Sequence, residues 1–332
     1  MVYLLRLKVI LIGLALVSMI FGASTVLAAD PHILLRVDMA DLVGNRMAEA
    51  RDEIRTLLRD AQPTIRYSGL AVSDRAVQVH IDDASQIEAA KSALKSLTDP
   101  VAGVVELALD DSQPGLLKFT MTDAGVKSRT SVALKQSIEV VKNRLHDLGI
   151  AGAGIRQADQ DGILVLAPGV EDLQSLGKTL TRPGQLSFQL VDTSMPVDDA
   201  LNGHAPAGSS VLYSLDDPPV PYLIENRVIV SGDHVLDAQA IANSVSNEPV
   251  VAFRLDSRGS ERVKWATTRN IGKPFAVILD GQVISAPIIR EPIEHGTVQI
   301  SGNFTAKNAN ELALLFRTGA LPVRLTIVEE AR

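Results

Sequence analysis

Between residues 30 and 194, hydrophobic and polar positions repeat one order of elements twice. Alternation of apolar and polar residues predicts a strand at Ile33–Asp38 and another at Leu116–Met121. Each strand is followed by a predicted amphipathic helix, a hairpin, a second helix and a closing strand. The order β-α-β-β-α-β predicts an α+β protein with two ferredoxin-like units, each with helices on one face of an antiparallel sheet. The two units are expected at residues 30–110 and 111–194.

The pattern changes after residue 194. Residues 195–221 are rich in Pro, Gly, Asp and Ser, which predicts a linker or hinge. Residues 222–321 are expected to form an inserted α+β head subdomain. Its strands are predicted at Arg227–Val230, Val250–Leu255, Phe275–Leu279, Val283–Ala286 and Thr297–Ile300, and its helices at Asp237–Ser244, Gly259–Asn270 and Ala306–Thr318. A last strand at residues 323–329 is expected to return to the sheet of the second ferredoxin-like unit.

The first 29 residues predict one N-terminal hydrophobic helix. Arg6 and Lys8 precede the uncharged run Val9–Ala29, which is long enough to cross a bilayer. Positive charge before the run predicts that the globular part lies outside the cytoplasm. The small residues around Ala28 also fit a signal-peptidase site, so a membrane anchor and a cleaved signal peptide both remain open.

Composition and spacing indicate no enzyme, metal or cofactor. The chain has no cysteine, which excludes disulfides and thiolate metal sites. Its net charge of −7 argues against nucleic acid as a partner. The six histidines are scattered, and none pairs with another at the spacing of a helical metal site. The strongest enzyme-like feature is Asp233–His234, for which a turn that caps the following helix is the favoured interpretation.

Several segments together resemble the first periplasmic domain of the SecD family, an accessory subunit of the Sec protein-translocation machinery. The resemblance lies in Asn143–Leu145, Ala167–Val170, Leu186–Val191, Gly232–His234, Ile271–Pro274, Leu279–Pro287, Ile300–Thr305 and Leu314–Pro322. It implies a base with an inserted head, an uncleaved N-terminal membrane helix, and a location at the bacterial inner membrane with the globular part in the periplasm. The alternative is a cleaved protein that is soluble in the periplasm. The family continues into further membrane helices, so this chain is expected to be a short form, either a shortened paralogue or a fragment.

The resulting hypothesis is a non-enzymatic module of the Sec export system that binds unfolded translocating polypeptide and assists its translocation or release. An extended client would add a strand to a sheet edge and bury side chains in apolar pockets of the head. The predicted contact residues are Val283, Ile284, Ile288, Ile289 and Arg290. Expected partners are unfolded exported polypeptides, Sec subunits such as SecF or the channel, and the membrane. The alternative is a regulatory or structural subunit that docks on Sec components without binding client.

Overall fold

The computed structural model describes residues 31–244, 246–294 and 296–331. The predicted N-terminal anchor or signal peptide, residues 1–29, therefore lies outside the described residues. Within these ranges, none of the helices combines the length and the apolar composition that a membrane span requires.

Strands and helices alternate along the described residues, in keeping with the predicted α+β class. The strands are β1 His32–Val37, β2 Tyr67–Ser73, β3 Ala76–Ile81, β4 Leu107–Asp110, β5 Leu116–Met121, β6 Gly154–Ala158, β7 Gly162–Leu166, β8 Leu186–Leu190, β9 Ser209–Tyr213, β10 Pro221–Glu225, β11 Val230–Ser231, β12 Val235–Ala242, β13 Pro249–Leu255, β14 Phe275–Leu279, β15 Gln282–Ser285, β16 Thr297–Ile300 and β17 Leu325–Ala331. The longer helices are α1 Met39–Asp60, α2 Ile87–Ala93, α3 Asp123–Asp147, α4 Leu173–Thr181, α5 Ser257–Arg269 and α6 Ala306–Thr318.

The helices begin where the sequence supplies capping side chains. Asp38 caps α1 by accepting hydrogen bonds from the backbone N–H groups of Ala40 and Asp41, at 3.0 and 3.1 Å. Thr305 caps α6 in the same way through the N–H of Asn308. These caps satisfy donors that the first helical turn leaves unpaired, so both helix starts are encoded locally.

The chain divides into two compact units. The first comprises the described part of Met1–Ile138 with Gly149–Thr181 and Val323–Arg332, and the second comprises Glu139–Leu148 and Arg182–Pro322. The predicted closing strand near Gln185–Val191 corresponds to β8 and belongs to the second unit, not to a sheet of residues 111–194.

The first unit contains two four-stranded antiparallel sheets, with strand orders β2-β3-β5-β4 and β17-β1-β7-β6. This pairing corrects the predicted sequential units, because β1 pairs with β7 and β5 pairs with β3. The first strand of each predicted unit, 30–110 and 111–194, therefore pairs with the hairpin of the other unit. The sequence pattern does not reveal this exchange, because β1 and β5 have the same length and the same alternating burial. The returning segment at residues 323–329 contributes to β17, which pairs with β1.

The second unit is built from the sheets β11-β8-β14-β15 and β12-β13-β16 and the hairpin β9-β10. Its main core contains four phenylalanines, of which Phe188 lies 5.3 Å from Phe253 and 6.0 Å from Phe275 between ring centroids. Helix α6 adds Leu315 and Phe316 to the same core. Aromatic rings at these separations bury a large apolar area and fix the packing of both sheets.

Two predictions for the second unit were wrong. Residues 237–244, predicted as a helix, lie mostly in strand β12, which pairs with β13 through partners such as Ala238 and Phe253. Its alanines favour a helix locally, but burial against a neighbouring strand overrides that preference. Residues 195–221, predicted as a linker or hinge, contain a helical turn at Val197–Asp199 and the strand β9, which pairs with β10.

Candidate functional site

A groove of about 260 Å³ opens on the surface of the second unit. One wall comes from β8 and β14, the opposite wall comes from β16, and the segment after β15 forms the rim. The lining residues are Phe188, Phe275, Val277, Pro287, Ile288, Ile289, Arg290, Glu291, Ile293, Val298, Gln299 and Ile300. Most of them are apolar, so the groove offers a hydrophobic surface with one charge of each sign at its rim.

The rim is held in place by backbone hydrogen bonds to the segment before β14. The N–H of Ile289 donates to the carbonyl of Lys273 at 2.9 Å, and the N–H of Gly272 donates to the carbonyl of Ile289 at 2.8 Å. Alternation along this extended segment buries Ile289, which is 5% exposed, and leaves its neighbour Ile288 60% exposed. An apolar side chain is therefore displayed at the mouth of the groove by a well-anchored backbone.

Strand β16 lies at the end of its sheet, because the strand order is β12-β13-β16. It pairs with β13 on one side, for example Val298 with Phe253. Among the described residues, no strand pairs with its other side. The unpaired backbone groups of an edge strand are available to a further strand. The groove and this free edge share Val298, Gln299 and Ile300.

The structure brings three of the five predicted contact residues to this groove. Ile288, Ile289 and Arg290 line it together. Ile284 is half-buried and lines a different cavity of about 450 Å³, so it does not join them. The prediction for Val283 is corrected, because this side chain is only 1% exposed and packs in a second, smaller core with Ile224. Contact of these residues with a polypeptide stays a prediction.

Sequence reasoning missed the residues that form the two walls. Phe188, Phe275, Val298 and Ile300 belong to strands that were predicted, but they were not among the predicted contact residues. A signal for one wall was present in the sequence. In the predicted strand Thr297–Ile300, Val298 and Ile300 alternate with polar residues, so both apolar side chains lie on one face. No local signal shows that β16 is an edge strand.

The Asp233–His234 pair is not a paired acid and base. His234 Nδ1 lies 3.0 Å from Oδ2 of Asp256, whereas Asp233 accepts a hydrogen bond from the hydroxyl of Ser231. Asp256 also accepts a hydrogen bond from the N–H of Gly259 at 2.7 Å. This bond is the largest cause that lowers the pKa of Asp256, and the bond to His234 is the second. His234 thus supports the N-cap of α5. The predicted helix after Asp233 is strand β12, so Asp233 has no helix to cap.

A buried arginine holds two chain segments of the second unit together. Arg144 is fully buried and donates to the backbone carbonyls of Arg182 and Gly319, at 2.6 and 3.1 Å, with a longer contact to Pro183. Burial lowers the pKa of Arg144 to about 10. Gly184 has a φ of +76°, and a Cβ at this position would lie 3.0 Å from Nη2 of Arg144. Arginine and glycine at these two positions are therefore mutually adapted.

Among the described residues, no group of three or more His, Cys, Asp and Glu side chains is placed to hold a metal ion. Fold and groove together define an α+β protein whose second unit displays an apolar groove beside a free strand edge. Two family models match the chain: the SecDF P1 head subdomain over residues 209–323, and the N-terminal P1 domain of protein translocase subunit SecDF over residues 134–193. The two ranges together cover more than half of the chain. The chain belongs to the SecD family, and the matched part is a P1 region.

Curated relatives agree with this assignment. The protein translocase subunit SecDF of Brucella abortus is 35% identical over 226 residues, which cover 68% of this chain and 29% of the relative. The SecD subunit of Rickettsia bellii is 30% identical over 304 residues, which cover 92% of this chain and 57% of the relative. A solved structure of SecDF, described as a membrane component that enhances protein export, is 26% identical with a TM-score of 0.47 and covers 60% of this chain and 92% of that chain. The chain spans between 29% and 57% of the length of these two curated relatives.

Proposed function

We propose that this chain is a non-enzymatic module of the Sec export system that binds unfolded, translocating polypeptide. The observation that carries the proposal is the apolar groove beside the free edge of β16. The relatives are named as protein translocase subunits, which supports a role in the same process. The chain is expected to act at the membrane with other Sec subunits, such as SecF or the channel, and its globular part is expected to lie in the periplasm.

The groove suits an extended chain of variable sequence. Pairing of a client backbone with β16 requires no particular side chains, because the hydrogen bonds involve main-chain groups only. The volume of 260 Å³ falls below the range of about 300–1,000 Å³ that is usual for small-molecule pockets. We therefore expect it to take a single large apolar side chain. Burial of such a side chain contributes about 1.5–3 kcal/mol, which suits weak and reversible binding.

Ile288 offers the sharpest test, because the chain contains a matched control. Ile288 and Ile271 are both exposed isoleucines of the second unit, at 60% and 55%, but only Ile288 lines the groove. A photo-crosslinking amino acid at position 288 is expected to form adducts with a stalled export substrate, and the same amino acid at position 271 is not. Replacement of Ile288 by serine should weaken the binding of an unfolded polypeptide, as measured by fluorescence anisotropy, and Ile271→Ser should not.

The outcome separates the two functional hypotheses. Adducts of position 288 with translocase subunits alone, and equal polypeptide binding by both serine variants, would contradict client binding. That result would favour the regulatory or structural subunit. Adducts with the client at position 288, together with weaker polypeptide binding by Ile288→Ser than by Ile271→Ser, would support the groove.

We also interpret the two sheets of the first unit as ferredoxin-like. The strand orders are β2-β3-β5-β4 and β6-β7-β1-β17. In each sheet two strands form a hairpin, β2-β3 or β6-β7, the third strand comes from another part of the chain, and a fourth strand forms the edge. The exchange of β1 and β5 would make the two ferredoxin-like sheets interdependent. Deletion of residues 31–38 is then expected to unfold the sheet of β6 and β7, as measured by hydrogen exchange of those strands, and retained protection there would contradict it.

A further inference from the structure

The solvent face of α5 carries a stripe of arginines around the only tryptophan of the chain. The stripe consists of Arg258, Arg262, Trp265 and Arg269, at successive spacings of four, three and four residues. Such spacing places all four side chains on one face of a helix. They are exposed, whereas Val263 and Ala266 on the opposite face are buried in the core. Eleven residues of helix rise by about 16 Å, so the stripe is an elongated, convex surface.

The arginines of this face are not neutralised. Among the described residues, no carboxylate lies within 4.0 Å of the guanidinium nitrogens of Arg227, Arg258, Arg262 or Arg269. Some exposed arginines elsewhere in the chain have such a partner, as Arg55 has in Asp52, whereas others, such as Arg66 and Arg156, have none within the described ranges. What distinguishes this face is that it gathers four arginines without a carboxylate partner in the described part of the chain, three on α5 and Arg227 beside Trp265, although the net charge of the chain is −7.

Trp265 lies between the arginine side chains of this face. Its side chain is 46% exposed, and the guanidinium carbons of Arg269 and Arg227 lie 4.5 and 5.5 Å from its ring centroid. Cation–π contacts of this kind hold the two cations beside the ring without removing their charge. The surface thus presents a fixed aromatic ring flanked by guanidinium groups.

We propose that this α5 face binds the anionic headgroups of a phospholipid surface. Guanidinium groups bind phosphate oxygens in a bidentate manner, and tryptophan prefers the boundary between headgroups and acyl chains. A convex stripe meets an extended planar surface over its whole length, whereas a peptide segment is more often held in a groove. The proposal is independent of the apolar groove, and either can fail without the other. An acidic polypeptide segment is the alternative partner that the experiment must distinguish.

Trp265 is the sole tryptophan, so its fluorescence reports on this face alone in the full chain. We expect a blue-shifted emission and quenching by brominated acyl chains with vesicles of phosphatidylcholine and phosphatidylglycerol. Vesicles of phosphatidylcholine alone should give neither change. Because the readout is local, association of vesicles with residues 9–29 does not count as a positive result. High salt should reverse both changes, since exposed charges are screened within about 3 Å at 1 M salt.

The test variant replaces Arg258, Arg262 and Arg269 by glutamine. Each arginine near an anionic surface strengthens association by roughly fivefold, so the triple variant should bind these vesicles about 100-fold more weakly. The matched control replaces Arg66, Arg156 and Arg324, three exposed arginines of the first unit, and should bind like the wild type. Equal binding by both variants would overturn the proposal. A change in Trp265 emission with poly-glutamate but not with anionic vesicles would also overturn it and would assign the face to an acidic polypeptide.

Discussion

Replacement of Arg144 by alanine tests the buried hydrogen bonds of the second unit. The guanidinium group of Arg144 is fully buried and donates to the carbonyl groups of Arg182 and Gly319. Alanine leaves both acceptors in a site that solvent does not reach. Each buried acceptor that loses its donor costs about 1–3 kcal/mol, so this effect destabilises the folded state by about 2–6 kcal/mol.

Two further effects change this magnitude. Burial lowers the pKa of Arg144 to about 10, and this shift corresponds to an unfavourable burial of the charge by about 3 kcal/mol, which the substitution relieves. The alanine variant also leaves a cavity in place of the largest fully buried side chain, which costs about 2–4 kcal/mol. The three effects add to a predicted loss of about 1–7 kcal/mol of unfolding free energy for Arg144→Ala, with a central value of about 4 kcal/mol. Arg144→Met, which fills most of the cavity, should lose about 1 kcal/mol.

Urea unfolding followed by Trp265 fluorescence measures this change locally, because Trp265 and Arg144 belong to the same compact unit. A loss of about 4 kcal/mol shifts the midpoint by roughly 1–4 M urea. Arg258→Ala is the control, since Arg258 is exposed and its loss should change the unfolding free energy by less than about 0.5 kcal/mol. A loss below about 1 kcal/mol for Arg144→Ala would refute the reasoning, because it would mean that water reaches the two carbonyl groups.

The pH dependence of the same variant provides a second check. A pKa of about 10 keeps Arg144 charged in the folded and the unfolded states at neutral pH. The difference between wild type and Arg144→Ala should therefore stay constant as the pH is varied around neutrality. Above a pH of about 10 the folded state releases the proton before the unfolded state does, so the wild type gains stability relative to the variant there.

Four further predictions concern local contacts. In the first unit, Gly44→Ala should stabilise α1 by about 1 kcal/mol, because a Cβ at this position meets nothing within 4 Å. Gly125→Ala should instead destabilise the same unit by about 1–3 kcal/mol, because its Cβ would lie 2.7 Å from the backbone oxygen of Glu106; thermal unfolding followed by circular dichroism compares the two. Glu106→Gln should cost about 3 kcal/mol in the same assay, because its carboxylate accepts hydrogen bonds from the buried Arg46 and from Arg129. In the second unit, the lowered pKa of Asp256 contributes stability that is present above its unfolded value of 3.8 and is lost as the pH falls through the folded value. Asp256→Asn should remove this loss below about pH 4, as measured by Trp265 fluorescence.

Each of these predictions has an outcome that contradicts it. Similar melting temperatures for the two glycine variants would show that α3 can shift away from Glu106. A neutral Glu106→Gln would mean that neutral hydrogen bonds to the two arginines suffice. An unchanged acid transition in Asp256→Asn would assign the low-pH loss to other carboxylates.

Local structure was predictable where local interactions decide it. The predicted bounds of Thr297–Ile300 and Ala306–Thr318 are those of β16 and α6. For α6 the reason is the Thr305 cap and the end at Gly319, whose φ of +80° favours glycine. Strand pairing was not predictable in the same way, because partners are chosen by contacts between distant parts of the chain, such as Ile33 with Val165 and Val77 with Phe119. The exchanged strands β1 and β5 present the same alternation of buried and half-buried residues, so the sequence alone does not distinguish their partners.

The burial of Val283 depends on a hairpin that was not predicted from the sequence. Residues 195–221 were interpreted as a linker or hinge, and no strand was predicted there. In the structure, the hairpin β9-β10 supplies Leu212 and Ile224 to one face of the sheet with β14 and β15, and Val283 is buried among them. Ile288 follows only five residues later and is exposed. Alternation along a strand shows which side chains share a face, but only the next layer decides whether that face is core or binding surface.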